Sequence, residues 1–435
     1  MTPAARLQTT LDLLNDVAST ARPADAVIFA FFRARRKLDD SDRGAILELL
    51  DALLRHWARI GWWLARQGHG DTPRNRLLAW LVLAEGRTPD QLKRLFNGAK
   101  GAPAALTERE GALVAGLRGH TMIHPDMPEA VRLECPDWAI APLRRRFGPA
   151  FAAEMAATLT PPPLDLRVNS VRTTRAAVLR DMQRLGLDAE ATPFAPHGIR
   201  LRERLSLARL PGLKTGEVEI QDEGSQLVAM LVDARPGARV VDFCAGAGGK
   251  TLAIAAQMNN KGRIVACDVS EGRLKRGAER FRRAGVHNAE TRLLASETDK
   301  WVKRHKGGFD RVLVDAPCTG TGTWRRRPDA KWRLDEEALA ARTAEQDAVL
   351  AEASKLVRPG GRLIYVTCSL FAAENRDRIS EFLNRHAGFA LGQADESFSH
   401  VCNSAQCDTG DNSMVTLTPK RTGTDGFFVA ALVKA

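Results

Sequence analysis

From about residue 220 onward the chain alternates short β-rich runs with helical stretches, and no other feature limits its fold so tightly. The β-rich runs are Arg239–Phe243, Arg263–Cys267, Thr291–Leu294, Arg311–Asp315 and Arg362–Thr367. Between them lie the helical stretches Lys250–Met258, Glu271–Ala284, Glu345–Val357 and Ala373–His386. Strands joined through helices pair in parallel, because a tight hairpin cannot return the chain in the same direction. Met414–Leu417 and Gly426–Val433 follow with no helix between them, so a final strand can enter antiparallel. The expectation is an α/β domain over residues 219–435, with a seven-stranded, mostly parallel sheet and helices on both faces.

The preceding residues read differently. Pro161-Pro162-Pro163 breaks helical character, and the run LDLRVNSVRTTRAAVLRDMQRLG after it suggests a short strand and then a helix. Residues 151–218 are expected to form a small α+β connector. Within 1–150, Asp42–His56, Leu77–Leu83 and Leu92–Phe96 place apolar residues at helical spacing, the last behind a Thr-Pro-Asp capping signal. That segment is expected to be all-α.

The loop after the first run of the α/β part, VVDFCAGAGGKT (240–251), is a strand, a glycine turn and a helix start. Such loops at the carboxyl ends of strands hold ligands, and the helix N-terminus favours a carboxylate or phosphate. Gly249-Lys250-Thr251 matches the tail of a P-loop, but Cys244 stands where its first glycine belongs. Gly246-Ala247-Gly248-Gly249-Lys250-Thr251 lacks the last glycine of a dinucleotide fingerprint. S-adenosylmethionine, with its zwitterionic amino acid end, is the remaining candidate. Asp268, closing the next run, can accept the ribose hydroxyls of an adenosine-bearing cofactor.

Cys318, in Asp315-Ala316-Pro317-Cys318, and Cys368, in Thr367-Cys368-Ser369, each lie just past an apolar strand at the same sheet edge. Cytosine carbon 5 is a poor nucleophile towards a methyl sulfonium. A thiolate adding to carbon 6 turns the ring into an enamine, whose carbon 5 can attack. An acid near ring nitrogen 3 and the exocyclic amine steadies the developing charge, and Asp315 is placed for that contact. Spacing leaves open which cysteine attacks.

These residues resemble the Sun/RsmB-type family of RNA cytosine-5 methyltransferases over about 160–435. The likeness rests on LRVN (166–169), QDEGSQLVA (221–229), DFCAGAGGKT (242–251), DVSEGRL (268–274), DAPCTGTG (315–322), RRRPDAKW (325–332), TCS (367–369) and DGFFVA (425–430). The resemblance implies a Rossmann-like class I methyltransferase domain. It implies Cys368 as nucleophile and Cys318 as the group that assists release of the methylated base. It also carries cofactor contacts onto Cys244, Ala245, Gly246, Ala247, Gly248, Gly249, Lys250, Asp268 and Asp315. The family's first loop usually has an Ala-Pro-Gly core, replaced here by Ala245-Gly246-Ala247-Gly248, and Ser296 stands near the acid that usually holds the adenine amine. The 1–150 segment is similar, through PADAVIFAFFRARRKLDDSDRGAILELLDALLRH, to the NusB-like RNA-binding domain of bacterial ribosomal RNA members, which directs the substrate reading to small-subunit ribosomal RNA. Transfer RNA, a different methyl acceptor, and a non-catalytic RNA-binding assembly factor are the alternatives.

The net charge of +12 over 435 residues favours a polyanionic partner. Arg325, Arg326, Arg327, Lys331 and Arg333, with Trp324 and Trp332, directly follow the proline-cysteine turn and read as an RNA-contacting run. The basic face of Arg273–Arg283 reads as solvated surface. Seven scattered cysteines do not make a disulfide scaffold. Cys402 and Cys407 read as loop residues without a zinc-site partner, and Cys135 and Cys267 as core. With no signal peptide or membrane span in the sequence, a cytoplasmic monomer without metal is expected.

Overall fold

The computed structural model describes residues 1–202, 210–392 and 414–435. Cys402 and Cys407 lie outside the described residues. The chain divides into two compact units. One comprises Met1–Arg144, Pro149–Thr160 and Trp324–Leu334; the other comprises Arg145–Gly148, Pro161–Thr323 and Asp335–Ala435. The connector therefore shares a unit with the large sheet, and the basic segment after the proline-cysteine turn belongs with the helices.

The first unit is helical, as its periodicity predicts. Its helices include Asp40–Arg55, Trp57–Arg66, Pro73–Leu83 and Pro89–Leu95. Thr88 and Gln91 form a reciprocal capping box at the start of the last of these, which is why the Thr-Pro-Asp signal holds. Leu13, Leu14, Ile46, Leu53, Trp63, Leu77 and Leu78 are buried together in the core of this unit.

The second unit contains two sheets. The small one joins β1 (Leu164–Val168), β2 (Ala189–Ala191), β3 (Gly198–Leu201) and β4 (Val218–Ile220) in the order β2-β3-β1-β4, all antiparallel. The helix Arg175–Arg184 connects β1 to β2. The large sheet comprises β5 (Arg239–Asp242), β6 (Arg263–Asp268), β7 (Ala289–Leu293), β8 (Phe309–Asp315), β9 (Val357–Thr367), β10 (Phe389–Leu391), β11 (Met414–Leu417) and β12 (Phe427–Lys434). Its order is β10-β12-β9-β8-β5-β6-β7, with β11 paired to β12.

Strands β5 to β9 pair in parallel, and β12 enters antiparallel beside β9. The sheet thus has one strand more than expected, the short β10 at the edge. Successive residues face opposite layers, as the period of two demands. Val240, Ile264, Leu313, Ile364 and Val366 pack in one layer with Leu227 and Leu252. Val241, Val265, Val312, Val314 and Leu363 pack in the other with Leu350 and Ile379. Those inner strands are apolar on both faces because helices cover both.

Candidate active site

In the large sheet the chain runs outward from β5 through β6 to β7 on one side and through β8 to β9 on the other. The connections after β5 and β8 therefore part at the carboxyl edge and leave a crevice. A cleft of about 470 Å³ lies there, and its lining includes Asp242, Gly246, Lys250, Asp315, Asp425 and Phe427.

The turn after β5 is tight because Gly246 (φ +56°) and Gly248 (φ +76°) are left-handed. At Gly248 a Cβ would also stand 2.4 Å from the Phe281 ring, so only glycine fits. Cys244, Ala245, Gly246, Ala247, Gly249 and Lys250 line the cleft. Burial, then the nearby carboxylates of Asp315, Asp242 and Asp268, push the Cys244 thiol up, so it remains a neutral wall.

Asp242, at the end of β5, accepts a hydrogen bond from Thr251 Oγ1 at 2.7 Å. Its Oδ1 is buried without a protein partner. Burial raises its pKa to about 7, the Thr251 bond opposing and the charge of Asp315 assisting.

Asp268 is engaged within the protein. Its two oxygens accept the backbone N–H groups of Gly246 and Ser270, each at 2.8 Å, and it is 6% exposed. It braces the glycine turn, while each oxygen retains one more acceptor site. Ser296 is not among the residues lining the cleft; its hydroxyl lies 3.0 Å from that of Thr298.

The Lys250 ammonium donates to Asp315 Oδ2 at 2.6 Å. Burial opposes the lysine's charge, but the Asp315 carboxylate, with Cys368 and Asp242, outweighs it and raises the pKa.

Because β8 and β9 are neighbours in register, with Asp315 opposite Val366, their cysteine turns meet. The Cys318 and Cys368 sulfurs lie 3.4 Å apart, a hydrogen-bond separation far beyond a disulfide's roughly 2.0 Å. The hydrogen bond to Cys368, then burial and the charges of Cys368 and Glu374, push the Cys318 thiol well up. Close backbone approach holds the turns: Gly322 N–H donates to Cys368 O at 2.9 Å, and Gly426 N–H to Gly322 O at 2.8 Å. A Cβ on Gly322 would stand 2.2 Å from Gly426 O.

Glu374, which sequence reasoning passed over, lies under both turns and is 0% exposed. Its Oε1 accepts Thr319 N–H at 2.8 Å and Gln346 Nε2 at 3.0 Å. Its Oε2 accepts the hydroxyls of Thr319 and Ser369. The only available signal was an acid soon after Thr367-Cys368-Ser369, which looks like an ordinary helix start.

The basic features need correction. Lys331 is 1% exposed, and its ammonium donates to Glu134 O and Thr158 Oγ1, each at 3.3 Å. Arg325 is 4% and Trp324 0% exposed. A surface-bound RNA strand cannot meet side chains withdrawn into a packed unit, so these three drop out of the expected RNA-contacting run. Arg326 and Arg327 are exposed. Arg333 donates to Asp329 Oδ2 at 2.9 Å and to Thr20 O at 3.0 Å.

Arg280, expected on a solvated face, lines the cleft and donates to Ala247 O at 2.6 Å while pairing with Glu219 at 3.1 Å. It braces the glycine turn from the other side. Cys135 and Cys267 are buried core residues. No described helix is long and apolar enough to cross a membrane, and no described group of His, Cys, Asp and Glu could hold a metal ion.

A family model described as 16S rRNA methyltransferase RsmB/F matches residues 229–433, and one for an RsmF/B-like ferredoxin-like domain matches 135–208. The chain is 34% identical over 302 residues to a probable ribosomal RNA small subunit methyltransferase B of Synechocystis sp., covering 69% of this chain and 67% of the relative. It is 28% identical over 415 residues to ribosomal RNA small subunit methyltransferase B of Pectobacterium atrosepticum, covering 92% of each. A solved methyltransferase homolog protein from Pyrococcus horikoshii superposes with a TM-score of 0.60 at 26% identity, covering 72% of this chain and 100% of that one. The crystal structure of PH0851 matches the whole fold, at a TM-score of 0.83 and 22% identity over 100% of this chain and 99% of that one.

Proposed function

The chain belongs to the RsmB/F methyltransferase family, and from that premise we propose that it methylates carbon 5 of a cytosine in small-subunit ribosomal RNA, using S-adenosylmethionine and Cys368 as nucleophile. The observation that carries this reading is the pair of sulfurs 3.4 Å apart just past the ends of β8 and β9, with Asp315 of β8 lining the glycine-turn cleft.

The residues present suit the cofactor. Asp242 Oδ1, buried and unpartnered at the cleft, suits an ammonium group. The N-terminus of the helix Gly249–Gln257 suits a carboxylate. Asp268 keeps acceptor capacity for ribose hydroxyls. When bound, S-adenosylmethionine supplies an electrophilic methyl group.

The Cys368 thiolate adds to carbon 6 of an unpaired or flipped cytosine, forming an S–C bond and making carbon 5 nucleophilic. Asp315, fixed by Lys250, accepts the exocyclic amine N–H, and the Lys250 ammonium beside it offsets the negative charge that develops on the ring. After carbon 5 is methylated, its proton passes to water. The electron pair restores the 5,6 double bond, and the S–C bond breaks. The Cys318 S–H group donates to the departing sulfur and so assists release.

Arg326 and Arg327 contact the RNA backbone. One chain carries both sulfurs and the cleft, so a monomer suffices, and its place of work is the cytoplasm, where ribosomal RNA is made.

RNA carrying 5-fluorocytosine tests this reading, because the fluorine blocks proton loss. The wild type and Cys318→Ala should form a covalent adduct, and Cys368→Ala should form none. An adduct with Cys368→Ala and none with Cys318→Ala reverses the assignment. Absence of tritium transfer from labelled cofactor to any RNA, with binding retained, favours the non-catalytic factor.

A further inference from the structure

We propose that Gln221, Arg280 and the open side of Gly249 form the seat for the carboxylate of S-adenosylmethionine, and that Arg167 is the positioning residue that aims the Gln221 amide at it. The inference deepens the reading above and rests on this cleft taking that cofactor.

Donors converge at one point of the cleft. Gly249 opens the helix Gly249–Gln257, whose first N–H groups, those of Gly249, Lys250 and Thr251, have no acceptor within the helix. A Cβ built on Gly249 would stand 3.9 Å from Gln221 Nε2, 3.9 Å from Arg280 Nη2 and 4.0 Å from Arg280 Nη1. Its three nearest neighbours are all nitrogen donors, and Gln221, Gly249 and Arg280 all line the cleft. The missing side chain of glycine leaves this space open between a helix N-terminus, an amide and a guanidinium. An oxyanion is the group that such a set of donors satisfies.

The donors have capacity to spare. Arg280 Nη1 donates to Ala247 O at 2.6 Å and Nη2 to Glu219 Oε2 at 3.1 Å, which leaves one N–H on each nitrogen. Arg283 donates to the other oxygen of Glu219 at 2.6 Å, so two cations share one carboxylate and a positive excess remains. Gln221 Nε2 meets Ser225 Oγ at 3.2 Å and Gly249 O at 3.4 Å. The second contact is longer than an ordinary hydrogen bond and yields to a charged acceptor. Asp222, the adjoining acid, accepts the N–H groups of Gly224 at 2.8 Å and Asp425 at 3.1 Å.

Arg167 decides which way the amide faces. A guanidinium only donates, and Arg167 Nε meets Gln221 Oε1 at 2.7 Å, so the amide nitrogen takes the side towards Gly249. Arg167 lies in β1, which pairs with β4 just before Gln221, and is 5% exposed. The small sheet thus orients a polar group of the cofactor cleft.

An independent observation of opposite sign completes the argument. Asp242 lines the same cleft, is 1% exposed, and its Oδ1 has no hydrogen-bond partner among the described residues. With Asp242 suited to an ammonium and the Gln221–Arg280 seat to a carboxylate, the cleft is polarised for a zwitterion.

The test uses the full chain and calorimetric titration with S-adenosylmethionine and with its decarboxylated form, which lacks only the carboxylate. Wild type should prefer the intact cofactor by at least about tenfold, the size of a hydrogen bond to a charged group. Gln221→Glu keeps the shape and sets an anion in the seat. Gly249→Ala fills the seat with a methyl group at ordinary contact distances, so its melting temperature should not fall. Each should bind the intact cofactor at least about tenfold more weakly and the decarboxylated form within about twofold of wild type. Arg167→Met should lose part of the preference, and Arg167→Lys, which restores a donor to Gln221 Oε1, should regain it.

A preference retained in folded Gly249→Ala overturns the proposal, and this variant decides the matter should Gln221→Glu fail to fold. Equal weakening of both ligands marks a structural role and overturns it as well. Weaker RNA binding with the preference intact assigns the seat to a backbone phosphate instead. Wild type that binds neither ligand sinks the cofactor reading itself, whereas wild type that binds both equally sinks this inference alone.

Discussion

Glu374 and Glu134 are both carboxylates withdrawn from water, at 0% and 1% exposure, yet the structure compensates them in different ways. Glu374, in the sheet unit, meets neutral donors on the two turns that carry the reactive sulfurs. Glu134, in the helical unit, accepts the backbone N–H groups of Ala58 and Arg59, each at 2.9 Å, at the start of the helix Trp57–Arg66. Two cations lie near it: Arg59 approaches to 4.0 Å, and the Lys331 ammonium donates to the Glu134 backbone carbonyl at 3.3 Å. A neutralised buried acid serves packing; one facing only neutral donors keeps a field that can act on neighbouring chemistry.

Single substitutions should separate the two regions most sharply. Cys368→Ala removes the only sulfur proposed to bond the base, so activity should fall at least about 10³-fold, roughly 4 kcal/mol of barrier. Its thermal midpoint should stay near wild type. Lys331→Ala should do the reverse. It leaves a cavity and strips two buried acceptors, Glu134 O and Thr158 Oγ1, of their donor, so a loss of about 2–5 kcal/mol is expected. Activity per folded molecule should persist at low temperature. Calorimetry alongside single-turnover assays checks both, and a catalytic defect in folded Lys331→Ala without loss of stability would break the comparison.

Replacing both members of the helical pair sharpens it further. Lys331→Met with Glu134→Gln removes both charges and keeps most of the volume, so the double variant should recover at least about 2 kcal/mol relative to Lys331→Ala. Urea titration reads this directly. If the double variant is no better, the lysine's packing rather than its charge dominates.

The pH dependence is the next smaller effect. Burial raises Glu134 from its ordinary range to about 7, against the opposing pull of its two N–H donors, Lys331 and Arg59. A raised folded-state pKa means the folded protein holds a proton that the unfolded chain has released. The contribution of Glu134 is therefore fully present below about 4.5 and is lost as pH climbs towards 7, at no more than about 1.4 kcal/mol per pH unit. Glu134→Gln should flatten that part of the stability profile. An unchanged slope would assign the dependence to another group, for which buried Asp242 is the next candidate.

These two regions also differ in how much of them could be read from residue order. The cysteine turns were legible because their chemistry demands particular residue types at strand ends, and the alternation of β5 to β9 locates those ends. The glycine turn was legible for the same reason. Trp324–Leu334 was misread because charge and aromatic content look alike whether a segment is solvated or buried. Its burial depends on remote partners: Lys331 meets Glu134 and Thr158, and Asp329 accepts the Ala24 N–H at 3.0 Å. Glu374 was invisible for a related reason, since its partners come from Thr319, Gln346 and Ser369 and only folding assembles them. Local pattern reports what one strand or turn must do; it does not report which distant backbone will close over a charge.

The smallest expected effect falls on the part of the basic run that stays outside. Arg326 and Arg327 are exposed, and Arg327 reaches Asp25 only at 3.7 Å with both side chains more than 60% exposed. Exposed pairs of this kind contribute about 0–1 kcal/mol, so Arg326→Ala and Arg327→Ala should leave the melting temperature nearly unchanged. If each cation neutralises one phosphate, each substitution should weaken RNA binding modestly. Each should also reduce the slope of log K against log salt by about 0.7, the value for a single strand. Arg325→Ala, at a buried position one residue earlier, should instead lower stability with little change in that slope. Titrations of RNA at several salt concentrations distinguish the two behaviours. Equal salt slopes for all three variants and wild type would remove this run from the RNA surface altogether and leave it wholly as internal packing of the helical unit.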